Sequence, residues 1–279
     1  MRLVTYDAGA GPRVGLLEGE DVLDVGFAGD MVAFIEAGAP IARRDQVEGP
    51  ARLLAPLRPR SLRDFMSFEG HYQDALGRLG LPVPAEWYRC CAYYKGMPDT
   101  VIGPDAEVPW PSYSSALDHE LELAAIIGRR GKNIPRERAL DHVFGYTIWN
   151  DVSARDVQTV EWRVGMGPGK AKDWDGSNVL GPCIVTADEL DVSDLRMEVR
   201  VNGERWGGDS TAGMHYTFAD LIAYASQEQT LHPGEVIGSG TATGGSGVEL
   251  GRALEPGDLV ELEVEGIGVL RNRIGRKES

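Results

Sequence analysis

The segment Asp118-His119-Glu120-Leu121-Glu122-Leu123-Ala124-Ala125-Ile126-Ile127-Gly128 sets two carboxylates in an apolar run that is typical of a buried β-strand. Because strand side chains alternate, Glu120 and Glu122 should project from one face, about 7 Å apart at Cα, with His119 and the leucines opposite. Two buried carboxylates repel each other and lose hydration, which is costly. A divalent metal ion would remove that cost. The rival interpretation is a half-exposed edge strand kept soluble by its glutamates.

Strand-like runs dominate the chain on both sides of this segment. Short helices are predicted around residues 68–80, 135–141 and 217–227. Regular βαβ alternation is absent, which argues against a Rossmann or TIM architecture. We therefore expect a mixed, β-rich α+β fold with peripheral helices. The predicted strands lie within residues 121–128, 143–154, 182–190, 195–206, 234–242 and 258–274.

The first 58 residues are predicted to form a small N-terminal domain. Residues 1–9 and 13–26 have the pattern of strands joined by turns, and Asp30 is placed to cap a short helix. Pro56, Pro59 and the charged passage around them indicate a linker. We place the N-terminal domain at residues 1–58 and the larger, catalytic domain at residues 59–279.

Composition and charge exclude several classes of function. The net charge of -15, with no run of Lys and Arg, argues against a nucleic-acid partner and against a membrane surface. No apolar stretch reaches the roughly 20 residues of a membrane span, and Asp7 lies where a signal peptide would be apolar. Three cysteines without a C-x-x-C pair indicate structural thiols. A cytoplasmic enzyme or binding protein is expected.

Downstream of the E-x-E segment, four stretches follow in the order of one known family. They are GYTIWNDVSARDVQ (145–158), KDWDGSNVLGP (172–182), GSGT (238–241) and PGDLVELEVEGIGVLRNRI (256–274). With D-x-E-x-E-L-x-x-x-I-G at 118–128, the chain resembles the fumarylacetoacetate hydrolase family over residues 60–275. The resemblance implies a coiled β-sheet roll or barrel with peripheral helices in the larger domain.

By this resemblance Glu120, Glu122 and Asp151 are metal ligands. Three hard oxygen donors without His or Cys suit Mg²⁺, Mn²⁺ or Ca²⁺ and leave positions open for water or substrate. A 2-oxo acid or 1,3-dicarbonyl compound could occupy those positions. Asp118 and Asp156 lie nearby in sequence and could hydrogen-bond to the ligands, although a passive role is favoured for Asp118.

The resemblance also implies residues that bind substrate. Lys172 corresponds to the family's active-site lysine, which stabilises negative charge on an enolate or carboxylate oxygen. Lys170 competes for this role, but the spacing to the following Gly-Pro pair favours Lys172. Arg155 and Gln158 would hold the oxo-acid end of the substrate. Thr241, in a Gly-rich loop, would offer its hydroxyl and backbone N–H to a carboxylate.

His71 corresponds to the family's general base, on a mobile segment that closes over the metal. Asp74, three residues later, would share its helical face and could orient the imidazole, with Glu69 as the alternative partner. The sequence departs from the family's N-Y-x-x-H-x-x-E pattern, because Ser67 replaces Asn and the acid is Asp74. This departure leaves the type of reaction open.

Together these residues predict a metal-dependent hydrolase that cleaves a carbon-carbon bond in a small 2-oxo or 1,3-dicarbonyl acid, such as an acylpyruvate or a fumarylacetoacetate-like compound. The alternatives are a 2-oxo acid decarboxylase or an isomerase or hydratase of aromatic catabolism. A non-catalytic, metal-dependent binding protein is disfavoured, since His71, Lys172 and the carboxylates occur together. The family is commonly dimeric, so we expect a homodimer with a small oxo acid as its ligand.

Overall fold

The computed structural model describes residues 1–78 and 80–277. One position of the predicted helix 68–80 and the last two positions of the predicted domain 59–279 lie outside the described residues. The α-helices are α1 (Met31–Glu36), α2 (Glu69–Gly77), α3 (Arg155–Val164), α4 (Phe218–Ala225) and α5 (Gly247–Leu250). Short 3₁₀ helices cover Ala85–Arg89, Pro98–Thr100, Arg136–His142, Ala187–Glu189 and Thr211–Gly213.

The strands are β1 (Arg2–Asp7), β2 (Pro12–Glu18), β3 (Asp21–Asp24), β4 (Asp45–Gln46), β5 (Arg52–Leu53), β6 (Ser61–Phe65), β7 (Tyr93–Gly96), β8 (Val101–Ile102), β9 (Glu107–Trp110), β10 (Leu117–Asp118), β11 (Leu121–Ile127), β12 (Val143–Asp151), β13 (Ser153–Ala154), β14 (Asn178–Thr186), β15 (Arg196–Val201), β16 (Glu204–Ser210), β17 (Glu235–Gly238), β18 (Leu259–Val264) and β19 (Gly268–Lys277). This strand-rich pattern confirms the predicted mixed α+β class. Coiling of the sheet into a roll or barrel stays a prediction.

A large mixed sheet has the order β4-β3-β2-β1-β14-β12-β11-β17-β6-β7, and a second sheet has the order β16-β15-β18-β19-β9. Strand β11 lies inside the large sheet, antiparallel to both β12 and β17. Every residue of β11 is buried. The E-x-E segment is therefore not a half-exposed edge strand.

Burial on both faces explains why β11 is almost uniformly apolar. Leu121 and Leu123 pack in one hydrophobic cluster with residues of the second sheet, whereas Ala124 and Ile126 pack on the opposite face with α1. A strand covered on both sides needs apolar residues at successive positions, not only at alternate ones. His119 is buried beside Trp206 of β16, with ring centroids 5.5 Å apart.

The N-terminal strands continue the large sheet. Strand β1 pairs with β14, where Leu3 lies opposite Ile184. As predicted, Asp30 caps α1, and its side chain accepts a 2.8 Å hydrogen bond from the N–H of Ala33. The division into domains at residue 58 stays a prediction. Part of the predicted linker needs correction, however, because Ser61–Phe65 forms β6, which pairs in parallel with β17.

Helix α3 ends at a glycine. Gly165 is the C-cap residue and adopts φ 79°, in the left-handed region, where a residue with a Cβ would be strained. Within the described residues, none of the helices combines the length and the apolar character needed to cross a bilayer.

The N-terminal strands are held by a buried carboxylate. Asp24 accepts a 2.6 Å hydrogen bond from the Tyr6 hydroxyl and is bonded by the guanidinium groups of Arg13 and Arg43. The Arg13 guanidinium, together with the Tyr6 hydroxyl and the N–H of Gly26, holds the pKa of Asp24 well below its usual range although burial opposes this. The charged form of Asp24 therefore stabilises the folded state.

We expect Asp24→Asn to lower the free energy of unfolding by about 2 kcal/mol at neutral pH, because the arginines lose a charged acceptor. Since the folded-state pKa is depressed, this contribution is complete above the ordinary carboxyl pKa of 3.8 and declines as the pH falls below it. Urea denaturation between pH 7 and pH 2.5 measures the difference. The matched control is Asp45→Asn, which removes an exposed partner of Arg43 and should change stability little. A deficit that stays constant with pH would contradict this role of Asp24.

Candidate active site

Three buried carboxylates converge inside the large sheet. Asp64 lies near the end of β6, Glu122 lies in β11, and Asp151 ends β12. One oxygen from each lies within 4.8 Å of the others. The sheet register brings them together, because Gly238 of β17 lies opposite both Asp64 and Ala124, the latter two residues after Glu122.

Four oxygens of this cluster lack a hydrogen-bond donor among the described residues, whereas Oδ2 of Asp151 accepts from Lys172 and from the Tyr94 hydroxyl. The four are Oδ1 of Asp64, both carboxylate oxygens of Glu122 and Oδ1 of Asp151. Burial, followed by repulsion from neighbouring carboxylates, raises the pKa of Asp64 and of Glu122 well above the usual range. Burial also raises the pKa of Asp151 to about 6, although Lys172 opposes this. Clustered, undonated carboxylate oxygens are the ligands that hard divalent cations prefer, so this donor set fits Mg²⁺, Mn²⁺ or Ca²⁺.

Gly238 has no side chain, and the carboxylate cluster uses the space that a side chain there would fill. A Cβ at this position would lie 2.7 Å from Oε2 of Glu122 and from the ring of Trp149. A side chain there would therefore displace the carboxylate or the indole.

The cluster differs in one member from the predicted ligand set. Glu122 and Asp151 belong to it, but Glu120 is engaged by cations: Nη1 of Arg155 lies 2.6 Å from Oε1, and the Lys172 ammonium contacts Oε2. Although burial opposes it, these two cations lower the pKa of Glu120 below its usual range. The third member is Asp64. Sequence reasoning missed it, because it stands in the passage interpreted as a linker.

Of the two candidate lysines, Lys172 reaches the cluster. Its buried ammonium bonds to Glu120 and Asp151 and lies 5.5 Å from the centre of the Tyr94 ring. Burial would lower its pKa, but Asp151 and Glu120 raise it above the usual range, so the side chain is charged. Lys170 is about half exposed and pairs with Asp173 at 3.0 Å.

The partner of His71 is Glu249, not Asp74. Nδ1 of His71 lies 3.0 Å from Oε2 of Glu249. His71 is buried on α2, whereas Asp74, three residues later on the same helix, is exposed. Glu69, the alternative partner, accepts a hydrogen bond from the Tyr88 hydroxyl. The predicted dyad of His71 and Asp74 is thus corrected.

Glu249 is fixed by the start of α5. Its carboxylate accepts hydrogen bonds from the N–H groups of Gly244 (2.8 Å) and Ser246 (3.0 Å), the second within a capping box. Burial would raise the pKa of Glu249, but His71 and these donors lower it. The S-x-x-E pattern of the capping box is visible in the sequence. It predicts a helix start there, but it does not reveal that His71 lies nearby.

Arg155 connects several elements of the site. It donates to Oε1 of Gln158 at 2.9 Å and to Oδ2 of Asp118 at 2.8 Å. Asp118 also accepts hydrogen bonds from the N–H groups of Gly247 (2.8 Å) and Val248 (2.9 Å), at the start of α5. Asp118 therefore joins the ends of two helices and is not a passive residue.

A cavity of about 150 Å³ opens onto this arrangement. His71, Arg155, Gln158, Lys172 and Thr241 all line it. The five side chains predicted to act on substrate therefore share one enclosed space. Their individual roles stay predictions. Asp64 and Glu120 line the same cavity and give it an acidic wall.

The sequence profile described as fumarylacetoacetate (FAA) hydrolase C-terminal matches residues 63–275. The chain belongs to the fumarylacetoacetate hydrolase family. The matched region contains the carboxylate cluster, both lysines, His71 and Glu249.

Members of this family with different named activities are similar to the whole chain. The oxaloacetate tautomerase FAHD2A, mitochondrial, of Homo sapiens is 34% identical over 305 residues, covering 98% of this chain and 91% of the relative. The structure of a fumarylacetoacetate hydrolase from Exiguobacterium antarcticum superposes with a TM-score of 0.86 and 29% identity, covering 99% of each chain. A 5-carboxymethyl-2-hydroxymuconate delta-isomerase from Mycobacterium smegmatis gives a TM-score of 0.78 and 29% identity, covering 99% and 100%.

We expect Asp64→Asn and Glu122→Gln each to weaken Mg²⁺ and Mn²⁺ binding by at least about 100-fold, because each removes a hard, charged ligand. Titration calorimetry measures the affinities. Glu69→Gln, which alters a carboxylate already bonded to Tyr88, is the control. In EDTA, Glu122→Gln should unfold at a higher temperature than wild type, because a buried carboxylate with a raised pKa destabilises the folded state. Wild-type affinity in either variant would remove that residue from the metal site.

Proposed function

We propose that this protein is a divalent-metal-dependent hydrolase that cleaves a carbon-carbon bond in a 2-oxo or 1,3-dicarbonyl acid, with acylpyruvates as the substrate class. The observation that carries the proposal is the placement of His71, backed by Glu249, in the cavity that Lys172 and Asp64 of the acidic cluster also line. A base and a cation would thereby be available to a small substrate in the same cavity.

Asp64, Glu122 and Asp151 would hold Mg²⁺, Mn²⁺ or Ca²⁺. Glu120 remains a proposed further ligand, since it lines the cavity next to the cluster. When bound, the ion supplies Lewis acidity to the oxygens of the oxo acid. No ligand in the set is a thiolate or an imidazole, which favours a hard cation over zinc or copper.

His71 would act as the general base. Nδ1 faces Glu249, which leaves Nε2 to take a proton from water in the cavity. The water oxygen then bonds to the acyl carbonyl carbon. The bond between that carbon and the methylene carbon breaks, and its electron pair goes to the pyruvate enolate. His71 returns the proton to the enolate carbon, so the products are a carboxylic acid and pyruvate.

The cations and polar groups around the cavity would position the oxo acid. Lys172 would stabilise the negative charge that develops on the enolate oxygen, and a preorganised charge in a buried site is effective in this role. Arg155, Gln158 and Thr241 would bind the carboxylate end of the substrate. The bonds from Arg155 to Asp118 and Glu120 fix the guanidinium in advance, which reduces the entropy lost on binding.

The full-length similarity to oxaloacetate tautomerases favours keto-enol isomerisation as a second candidate. Such a reaction moves a proton between carbon and oxygen, and His71 with Glu249 could transfer it. Unlike hydrolysis, it needs no attacking water. Decarboxylation of a 2-oxo acid also needs none, since the metal and Lys172 could stabilise the enolate.

We further propose a homodimer, as is common in the family. A solution mass of one chain by light scattering would overturn that proposal.

We expect His71→Ala to reduce hydrolysis of acetylpyruvate by roughly 10² to 10⁴, with metal affinity nearly intact, because only the base is lost. Glu249→Gln should produce a smaller loss of the same kind, and the control Asp74→Asn should resemble wild type. Coupled assays of pyruvate release measure the rates. Parallel assays follow the enol absorbance of oxaloacetate and carbon dioxide release.

Unchanged hydrolysis in His71→Ala would rule out the general-base role. Wild-type tautomerisation of oxaloacetate without pyruvate release from acetylpyruvate would favour the tautomerase. Carbon dioxide release from oxaloacetate by His71→Ala would favour a decarboxylase.

We expect Lys172→Met to reduce turnover by about 10² to 10³, since one electrostatic contact to the reacting oxygen disappears. Lys170→Met is the matched control, because Lys170 is a half-exposed cation paired with Asp173. The two variants are compared by kcat on acetylpyruvate. Equal activities would show that Lys172 does not act on the substrate.

A further inference from the structure

Two helices, α2 and α3, contribute to the walls of the cavity, and the first turn of each lies at its polar end. Helix α2 presents His71 in its first turn and Leu76 near its end. Helix α3 begins at Arg155, which contacts Glu120, and presents Gln158 and then Trp162. Along each helix, the residues that line the cavity therefore change from polar to apolar.

The rise per residue of an α-helix gives the distance between the polar and the apolar residues along each helix. At about 1.5 Å per residue, Trp162 lies about 10 Å along α3 from Arg155, and Leu76 lies about 7 Å along α2 from His71. Ala75 and Val248 also line the cavity and add apolar surface. The lining of the cavity thus changes from polar to apolar over about 7 to 10 Å. This distance is comparable to the length of one acyl substituent on a small oxo acid.

The apolar part of the wall offers little to a second carboxylate. Arg78 is the positively charged side chain outside the polar end, among the described residues that line the cavity. Its Nε and Nη2 both donate to the carbonyl oxygen of Glu249, so the guanidinium supports the backbone of α5. A carboxylate placed between Leu76 and Trp162 would exchange its hydration for a mainly apolar surface, which is costly.

We propose that the preferred substrate is an acylpyruvate with an apolar acyl group, either a linear chain of about four to six carbons or an aromatic ring of similar reach. The oxo-acid end occupies the polar end of the cavity, and the acyl group lies between Leu76 and Trp162. This inference rests on the proposed hydrolase function and specifies its substrate class. Compact dicarboxylic acids are poorer substrates, because their distal charge meets the apolar wall.

The test compares acetylpyruvate, hexanoylpyruvate and fumarylpyruvate with the Mg²⁺-loaded enzyme. Burial of each methylene group favours binding about fourfold. We therefore expect kcat/KM for hexanoylpyruvate to exceed that for acetylpyruvate by at least about tenfold, and fumarylpyruvate to be the poorest of the three. Equal values, or a preference for fumarylpyruvate, would overturn the inference while leaving hydrolysis established.

Calorimetric binding of the same three compounds separates this inference from the proposed function. If none of them is hydrolysed but hexanoylpyruvate binds at least about tenfold more tightly than acetylpyruvate, the hydrolase proposal fails and the apolar subsite stands. If none is hydrolysed and the affinities are equal, both fail.

Variants test the wall itself. Trp162→Gln should lower the ratio of kcat/KM for hexanoylpyruvate to that for acetylpyruvate by about tenfold, and Leu76→Gln, on the other helix, should act in the same direction. Val160→Gln is the matched control on α3, since Val160 is 60% exposed and does not line the cavity. It should leave the ratio unchanged. An unchanged ratio in both wall variants would overturn the inference even if hexanoylpyruvate is preferred.

Discussion

The burial of acidic side chains without enough positive charge is the constraint on which the rest of the site depends. Lys172 and Arg155 neutralise Glu120, and Lys172 also reaches Asp151. Neither cation forms an ion pair with Asp64 or Glu122. Two adjacent buried carboxylates stay ionised only if a further cation is present. The cluster therefore lowers the stability of the fold when no cation is present, and a divalent ion bound there would offset that cost.

The large sheet makes such a cluster possible. Strands β6, β11 and β12 are not consecutive in the sheet order, because β17 separates β6 from β11. Gly238 of β17 provides no side chain at this point, so carboxylates from the strands on either side can approach each other. Close packing on both faces of β11 then holds Glu122 in place even though repulsion favours its displacement.

The sequence predicted those parts of the fold and site that depend on local patterns. Alternation in β11 drew attention to Glu122, whereas the family resemblance singled out Asp151 and Lys172. In the structure Glu122 and Asp151 share one cluster, and Lys172 contacts Asp151. Asp64 and Glu249 were missed because they are single acids in short segments, and only tertiary pairing brings them to the cavity. The choice of Asp74 shows the limit of local reasoning. Its spacing from His71 suits a helix, but that spacing does not say which side of α2 faces the protein interior.

Asp118 shows why the acidic cluster and the His71–Glu249 pair are not independent. Its carboxylate accepts from Arg155, which contacts Glu120, and from two N–H groups at the start of α5. Because α5 carries Glu249, a shift of the segment that holds Asp118 and Glu120 would move the support of His71 as well. Hydrogen bonds to a buried charge are strong, so this connection resists distortion. One short segment, residues 118–122, therefore connects the two parts of the site, because it contributes Asp118, Glu120 and Glu122.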